Sequence, residues 1–292
     1  MRMLVAVDVE DRGDAVVNAA IPWAERWSAE IDVAYASEWS PALLPAAKDP
    51  TEPQEALRAE WSAHADEERA KLSDLLARVP AAHRGQLRFV PGRRTEVLPP
   101  LTDLYDVTVV ATHARRGLAR VLLGSVTARL LREARGPVLV VGLDDVTHGL
   151  HHPVRVAVPV DERGSRVLPL VGQWFRGAEI ALVHVVPPGA WSPLLWAGGA
   201  SLPMGVDERV EALAVLLEAQ GREAGLDRAT AVVLTGETSN PGDTLAEWAG
   251  TSNQDIVVVP TRSRDDLSRL VMGSVALRVA ERAPCAVLVV PP

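Results

Sequence analysis

Residues 106–143, DVTVVATHARRGLARVLLGSVTARLLREARGPVLVVGL, align without a gap on residues 255–292, DIVVVPTRSRDDLSRLVMGSVALRVAERAPCAVLVVPP, at an offset of 149 with 16 of 38 positions identical. An internal repeat of that quality has to be read before any single motif, because it sets the architecture. Outward from it, Met3 to Asp8 pairs with Val156 to Asp161 at an offset of 153, and Ala29-Glu30-Ile31 pairs with Ala178-Glu179-Ile180 at 149. The chain is one domain written twice. The expected boundaries are residues 1–143 and 153–292, joined by a polar linker at 144–152.

Short runs of Val, Leu, Ile and Ala bounded by turn residues read as buried strands, and longer periodic segments read as helices. Copy one yields strands near 3–7, 31–36, 87–90, 108–111 and 138–141; copy two yields them near 156–160, 180–186, 231–234, 256–259 and 287–290. Helices are expected over 14–27, 52–78, 165–175 and 207–223. Pro241 suits a first helical turn, whereas Pro99-Pro100 should interrupt a helix over 95–104 and leave it short. Strands alternating with helices require crossover connections, which produce parallel sheets covered on both faces. The predicted fold class is therefore α/β, with two tandem doubly wound five-stranded parallel sheets.

Composition limits the function. Of 292 residues 48% are hydrophobic and only 4% aromatic, a mixture suited to aliphatic cores around parallel strands. A formal charge of −8, shared equally by the halves, opposes general affinity for nucleic acid, which needs a basic surface to displace counterions. The single Cys285 allows no intrachain disulfide and no cysteine metal cluster, is expected to pack as a small apolar group, and fits a reducing cytoplasm. The apolar N-terminal stretch is too short for a signal peptide core, and no run reaches membrane-spanning length. His148, His151 and His152 come without a spaced second ligand pair, so no metal site is expected there.

In open parallel sheets ligands sit beyond the carboxyl ends of the strands, where strand order reverses. The first strands end in Val7-Asp8 and Val160-Asp161. Gly124-Ser125-Val126 and Gly273-Ser274-Val275 stand immediately before the last helices, where free backbone N–H groups favour an anion. Both features have plainer readings, Asp as a cap of the following helix and Ser as an N-cap. With the closing Pro-Val-Leu-Val-Val strand at 137–141, these motifs resemble the universal stress protein family in its tandem form. That resemblance implies a Rossmann-like fold and adenine nucleotide binding, in which Val7, Asp8, Val160 and Asp161 face the adenine or ribose. Gly124, Ser125, Val126, Gly273, Ser274 and Val275 would then hold ribose and phosphates. It implies ATP as the cofactor, with Mg2+ as its companion, and a homodimer; the charge and hydropathy predict neither nucleic acid nor membrane partners, and the lone cysteine a cytoplasmic location.

The chain departs from the family's Gly-x2-Gly-x9-Gly-Ser pattern. Ala111 and Ala114 replace the first two glycines in copy one, and Pro260 and Ser263 replace them in copy two. Proline fixes φ and removes an N–H, so copy one is expected to bind more tightly. Arg93, Arg94, Arg115 and Arg116 are candidates to complete a phosphate site there, although surface arginines are usually solvated. No nucleophile elbow, zinc-binding helix or Walker loop occurs, which ranks an enzyme last. The expected function is a stress-response regulatory protein that binds ATP or a related adenine nucleotide without efficient catalysis. The alternative is a dimeric scaffold of the same fold that binds no nucleotide and acts through partner contacts, which the lost glycines favour.

Overall fold

A computed structural model describes residues 1–39, 54–112, 123–142, 149–188, 205–236, 240–261 and 273–291. His113, Ala114, Arg115, Arg116, Ser263, His148 and most of the two Pro-rich loops lie outside the described residues. The chain folds into two compact units, whose described parts end at 142 in the first and begin at 149 in the second.

The first unit runs β1 (Arg2–Ala6), α1 (Gly13–Trp27), β2 (Glu30–Ser37), α2 (Gln54–Ala77), β3 (Arg84–Pro91), α3 (Arg94–Leu101), β4 (Val107–Thr112), α4 (Ser125–Glu133) and β5 (Val138–Gly142). Its strands are parallel in the order β3-β2-β1-β4-β5. The chain winds outward from β1, returns, and continues on β1's other side. That reversal puts the switch point between β1 and β4. Val5 pairs with Val109 as the last register between them, while β4 continues to Thr112, so a gap opens beyond β1.

The core follows the expected aliphatic pattern. Met3, Leu4 and Val5 of β1, Ile31 and Val33 of β2, and Val109 and Leu139 of the next strands are fully buried. Each such side chain contributes about 1.5–3 kcal/mol relative to exposure. Helix α2 is polar except for a buried stripe of Ala65, Glu68, Leu72 and Leu75 at helical spacing. Helix α3 runs through Pro99 and Pro100 before passing into a 3-10 turn at Thr102–Leu104, so the prolines shorten this segment without breaking it where expected. Proline's φ is already helical, and only the carbonyls of Thr95 and Glu96 lose donors.

The second unit repeats the plan with β6 (Arg155–Pro159), α5 (Leu168–Trp174), β7 (Glu179–Val186), α6 (Val206–Glu223), β8 (Thr230–Thr235), α7 (Pro241–Thr251), β9 (Ile256–Pro260), α8 (Ser274–Arg282) and β10 (Ala286–Val290). The parallel order is β8-β7-β6-β9-β10, with the switch point between β6 and β9. Helix α5 is shorter than predicted, because residues 165–167 form a turn and Pro169 occupies the first helical turn. Pro241 sits in the first turn of α7, which Asn240 caps by accepting from Gly242 N at 2.9 Å. His151, read from sequence as linker, is held by Asp255, which accepts from its backbone N at 3.1 Å and lies 2.7 Å from Nδ1. Cys285 is half-buried and not part of the core, since it precedes β10 at the sheet margin.

Candidate functional site

Each switch point opens into a cleft. The first, about 220 Å3, is lined by all five residues singled out in copy one: Val7, Asp8, Gly124, Ser125 and Val126. The second, about 450 Å3, is lined by Val160, Asp161, Gly273 and Val275, whereas Ser274 is not on its wall.

Neither aspartate caps a helix. Asp8 Oδ1 accepts from Glu10 N at 3.2 Å and Asp161 Oδ1 from Arg163 N at 2.8 Å, so both fold the turn two residues ahead. Helices α1 and α5 start farther on, at Gly13 and Leu168. Gly13 must be glycine: a Cβ would stand 2.7 Å from Asp8 O and 2.8 Å from a Leu75 methyl. The serines do not act as N-caps either. Gly124 and Gly273 occupy the cap positions of α4 and α8, Ser125 and Ser274 begin the helices, and no side chain caps either end. The first N–H groups of these helices therefore lack an intrahelical partner.

Gly124 is informative for another reason. Its φ of −59° suits any residue, and nothing described lies within 4 Å of where its Cβ would be. Among the described residues of the first unit, neither backbone nor packing calls for glycine there. Open space in front of a helix N-terminus suits a bound anion.

Backbone parity separates the clefts. Thr108 N donates to Pro137 O at 2.9 Å, so alternation along β4 turns the N–H of Ala111 toward β1, beyond the last paired residues and on the cleft wall. In the second unit Thr261 N donates to Val290 O at 2.9 Å, which gives position 260 the same orientation toward β6. That position is Pro260, which has no N–H to offer. The second cleft lacks a donor that the first possesses. It also has Ala276 where the first has Thr127, whose hydroxyl donates to Ala111 O at 2.9 Å.

Arg94 enters the first cleft from the start of α3 and pairs with Asp8 Oδ2. Its guanidinium lies 5.5 Å over the Tyr35 ring. Tyr35 in turn donates to Glu68 Oε1 at 2.8 Å, and Ser37 Oγ donates to Glu68 Oε2. Burial and the Glu68 carboxylate push the Tyr35 phenol well up, so it remains a donor. Burial alone would pull Arg94 down, but Asp8 and Tyr35 more than offset it. Of the arginines proposed for this site Arg94 is placed in the cleft; Arg93 is exposed and lies 3.8 Å from Glu96. Sequence reasoning missed Tyr35 and Glu68, although a carboxylate in the buried stripe of α2 was a signal that a polar partner must exist.

In the second cleft Val160 O lies 2.9 Å from His184 Nδ1, and because a carbonyl only accepts, Nδ1 carries the proton. Arg166, which sequence reasoning also missed, spans the strand ends: Nη2 donates to Thr261 O and to Val290 O, the latter at 3.3 Å. At the offset of 153 that aligns the domain starts, Arg166 stands where copy one has Gly13. Among the described residues no cluster of three or more His, Cys, Asp or Glu is arranged to hold a metal ion. No described helix is long and apolar enough to cross a membrane.

Comparison with known proteins agrees with this architecture. The model of the universal stress protein family matches residues 1–142 and 170–291. A universal stress protein from Mycolicibacterium smegmatis is 30% identical over 196 residues, 64% of this chain and 62% of that relative's length. A universal stress protein structure from Archaeoglobus fulgidus DSM 4304 superposes with a TM-score of 0.67 at 17% identity, covering 99% of this chain and 98% of that one. A putative universal stress protein from Pseudomonas aeruginosa UCBPP-PA14 gives a TM-score of 0.58 at 16% identity, covering 100% and 93%. At such identities the structures share the fold and nothing finer. With the family model matching both units, the chain belongs to the universal stress protein family.

Proposed function

We propose that the protein is a stress-response regulator that binds ATP or a related adenine nucleotide, without efficient catalysis, in the cleft of its first unit. The observation that carries this reading is the convergence at one switch point of the Asp8 carboxylate, the cleft-facing N–H of Ala111, and the glycine-capped start of α4 with open space before it. A carboxylate accepts from ribose hydroxyls, and the α4 N–H groups with Arg94 complement phosphate. Mg2+ would enter with the phosphates. The second cleft takes the same class of ligand; losing one donor to a charged group, about 1.5–3 kcal/mol, would by itself weaken it roughly tenfold or more. The protein acts as a homodimer, as the family resemblance implies, in the cytoplasm, which its lone cysteine fits, and sedimentation at micromolar concentration tests the assembly.

One observation favours a second reading, a scaffold that binds no nucleotide. Both Asp8 oxygens are already engaged, by Glu10 N and Arg94, and the first cleft is below the roughly 300 Å3 at which ligand pockets usually start. Denaturing the purified protein and identifying released small molecules by chromatography and mass spectrometry distinguishes the two. A stoichiometric adenine nucleotide, or saturable ATP binding by the emptied protein, supports the first reading. No binding at millimolar ATP supports the scaffold.

A further inference from the structure

We infer that Arg94 sets the specificity of the first cleft, holding Asp8 closed to a bare nucleoside and yielding it only to a ligand that brings a phosphate in exchange. The inference rests on the proposed function, nucleotide binding in this cleft, and says which adenine compounds that site admits. Arg94 pairs with Asp8 Oδ2 while Glu10 N occupies Oδ1, so the carboxylate that would receive ribose hydroxyls is already engaged. Both side chains are largely withdrawn from water, with 34% and 32% exposure, so separating them leaves two poorly solvated charges. Adenosine carries no anion to take over the guanidinium. A phosphate at the start of α4 does, because Arg94, Asp8, Gly124 and Ser125 line one space of about 220 Å3.

Two further observations set Arg94 apart from a surface arginine. It is the first residue of α3, where the helix dipole opposes a cation, so the helix gives no reason for its charge. Its pose is fixed from behind: the guanidinium lies 5.5 Å over the Tyr35 ring, with Nη2 3.5 Å from Tyr35 Oη, and Tyr35 donates to Glu68 Oε1 at 2.8 Å. Tyr35 and Glu68 are both buried. The second cleft is a control inside the same chain. The first residue of its corresponding helix, α7, is Pro241, which lies on the cleft wall without a charge, and Leu245 follows it there as Leu98 follows Arg94. Asp161 Oδ1 accepts from Arg163 N, and among the described residues no cation pairs with this carboxylate. That cleft is about 450 Å3 and keeps its aspartate open. The two clefts therefore differ in what they admit: the second takes adenosine and ATP through the same acceptor, and the first takes ATP and refuses adenosine.

The test uses the full chain with the second cleft silenced by Asp161→Ala and Gly273→Asp, and with Arg94 either intact or changed by Arg94→Gln or Arg94→Lys. Each protein is titrated calorimetrically with adenosine and with ATP, and its melting temperature is recorded. Expected in Arg94→Gln are at least tenfold tighter adenosine binding and at least a tenfold fall in the preference for ATP over adenosine, with part of that preference kept in Arg94→Lys. A purely structural role cannot move the two ligands apart. Adenosine affinity that is unchanged or weaker in Arg94→Gln overturns the inference, and parallel losses for both ligands with a lower melting temperature assign Arg94 to the frame of the cleft instead. Equal gains for both ligands make Arg94 a plug without selectivity and overturn it as well. In each of these cases ATP binding leaves the nucleotide reading standing. No binding of either ligand by any of the three proteins at millimolar concentration overturns the inference together with that reading.

Discussion

Gly124→Asp separates ligand binding from folding in the first unit. Gly124 has φ −59° and ψ 157°, extended values open to aspartate, and its missing Cβ faces nothing described within 4 Å. Aspartate is also a better N-cap than glycine by a few tenths of a kcal/mol, so the variant should melt at or slightly above the wild-type temperature. A phosphate at the start of α4 would meet the new carboxylate at roughly 5 Å, where two unit charges repel by about 3 kcal/mol at an effective dielectric of about 20. That energy is about a hundredfold in affinity. Gly124→Asn adds the same bulk without the charge and should lose much less. The measurement is calorimetric titration with ATP beside thermal unfolding of wild type and both variants. An aspartate variant that keeps its first-cleft affinity within about threefold would refute a phosphate at α4, and equal losses for Asp and Asn would reassign the effect to bulk.

Two further substitutions test the frame around the sites. Asp32 is only 2% exposed and accepts from Tyr105 Oη at 2.7 Å, Gln86 N at 2.6 Å, Arg88 Nε at 3.1 Å and Arg2 Nη2 at 3.1 Å. Burial raises its pKa, but Tyr105, Gln86 and Arg88 together outweigh that and hold it below the ordinary 3.8. A depressed carboxylate stabilises the fold above its unfolded pKa, and that contribution is lost as pH falls through the folded value. Asp32→Asn should therefore cost stability at pH 7, on the order of 2 kcal/mol, and flatten the loss of stability below about pH 4, read by urea unfolding at pH 7 and pH 3. The same difference between variant and wild type at both pH values would remove Asp32 from that role. Gly13→Ala should destabilise by about 1–3 kcal/mol, because the methyl overlaps backbone at Asp8 and little there can give way; an unchanged denaturation midpoint would contradict the packing.

The central strands were legible because most of their residues are buried on both faces, so apolar runs such as Val138–Val141 and Val287–Val290 carry their own boundaries; β3 and β8 have no buried residue. The aspartate and Gly-Ser positions were legible because they end strands and begin helices, and topology alone brings those ends together. Side-chain geometry was not. That Asp8 is met by Arg94 depends on α3 starting 86 residues later, beside the same strand end. Glu68 gave a usable signal, since it falls in register with Ala65, Leu72 and Leu75 where an apolar residue would pack. The prolines of α3 were half legible: the helix is short, as expected, but it runs through both prolines because only two carbonyls lose donors.

The duplication explains why the two clefts can differ while the sheets do not. A substitution inside a closing strand meets buried neighbours on both faces, and the Val-Leu-Val-Val run is identical in the two copies. Residues beyond the strand ends meet mostly solvent or ligand, so charge can be moved among them at little cost to the core. Copy one places its arginine on α3 and joins it to Asp8; copy two places its arginine in the turn after Asp161 and joins it to strand-end carbonyls. The change at this turn is not a simple exchange, because Gly13 in copy one is packed against Asp8 O and could not carry an arginine without moving the turn. The four-residue difference between the offsets 153 and 149 falls within this first helical region, between Asp8 and Ala29. A different local path is therefore available in copy two, and Arg166 follows it to the ends of β9 and β10 beside the position where Pro260 has removed a donor.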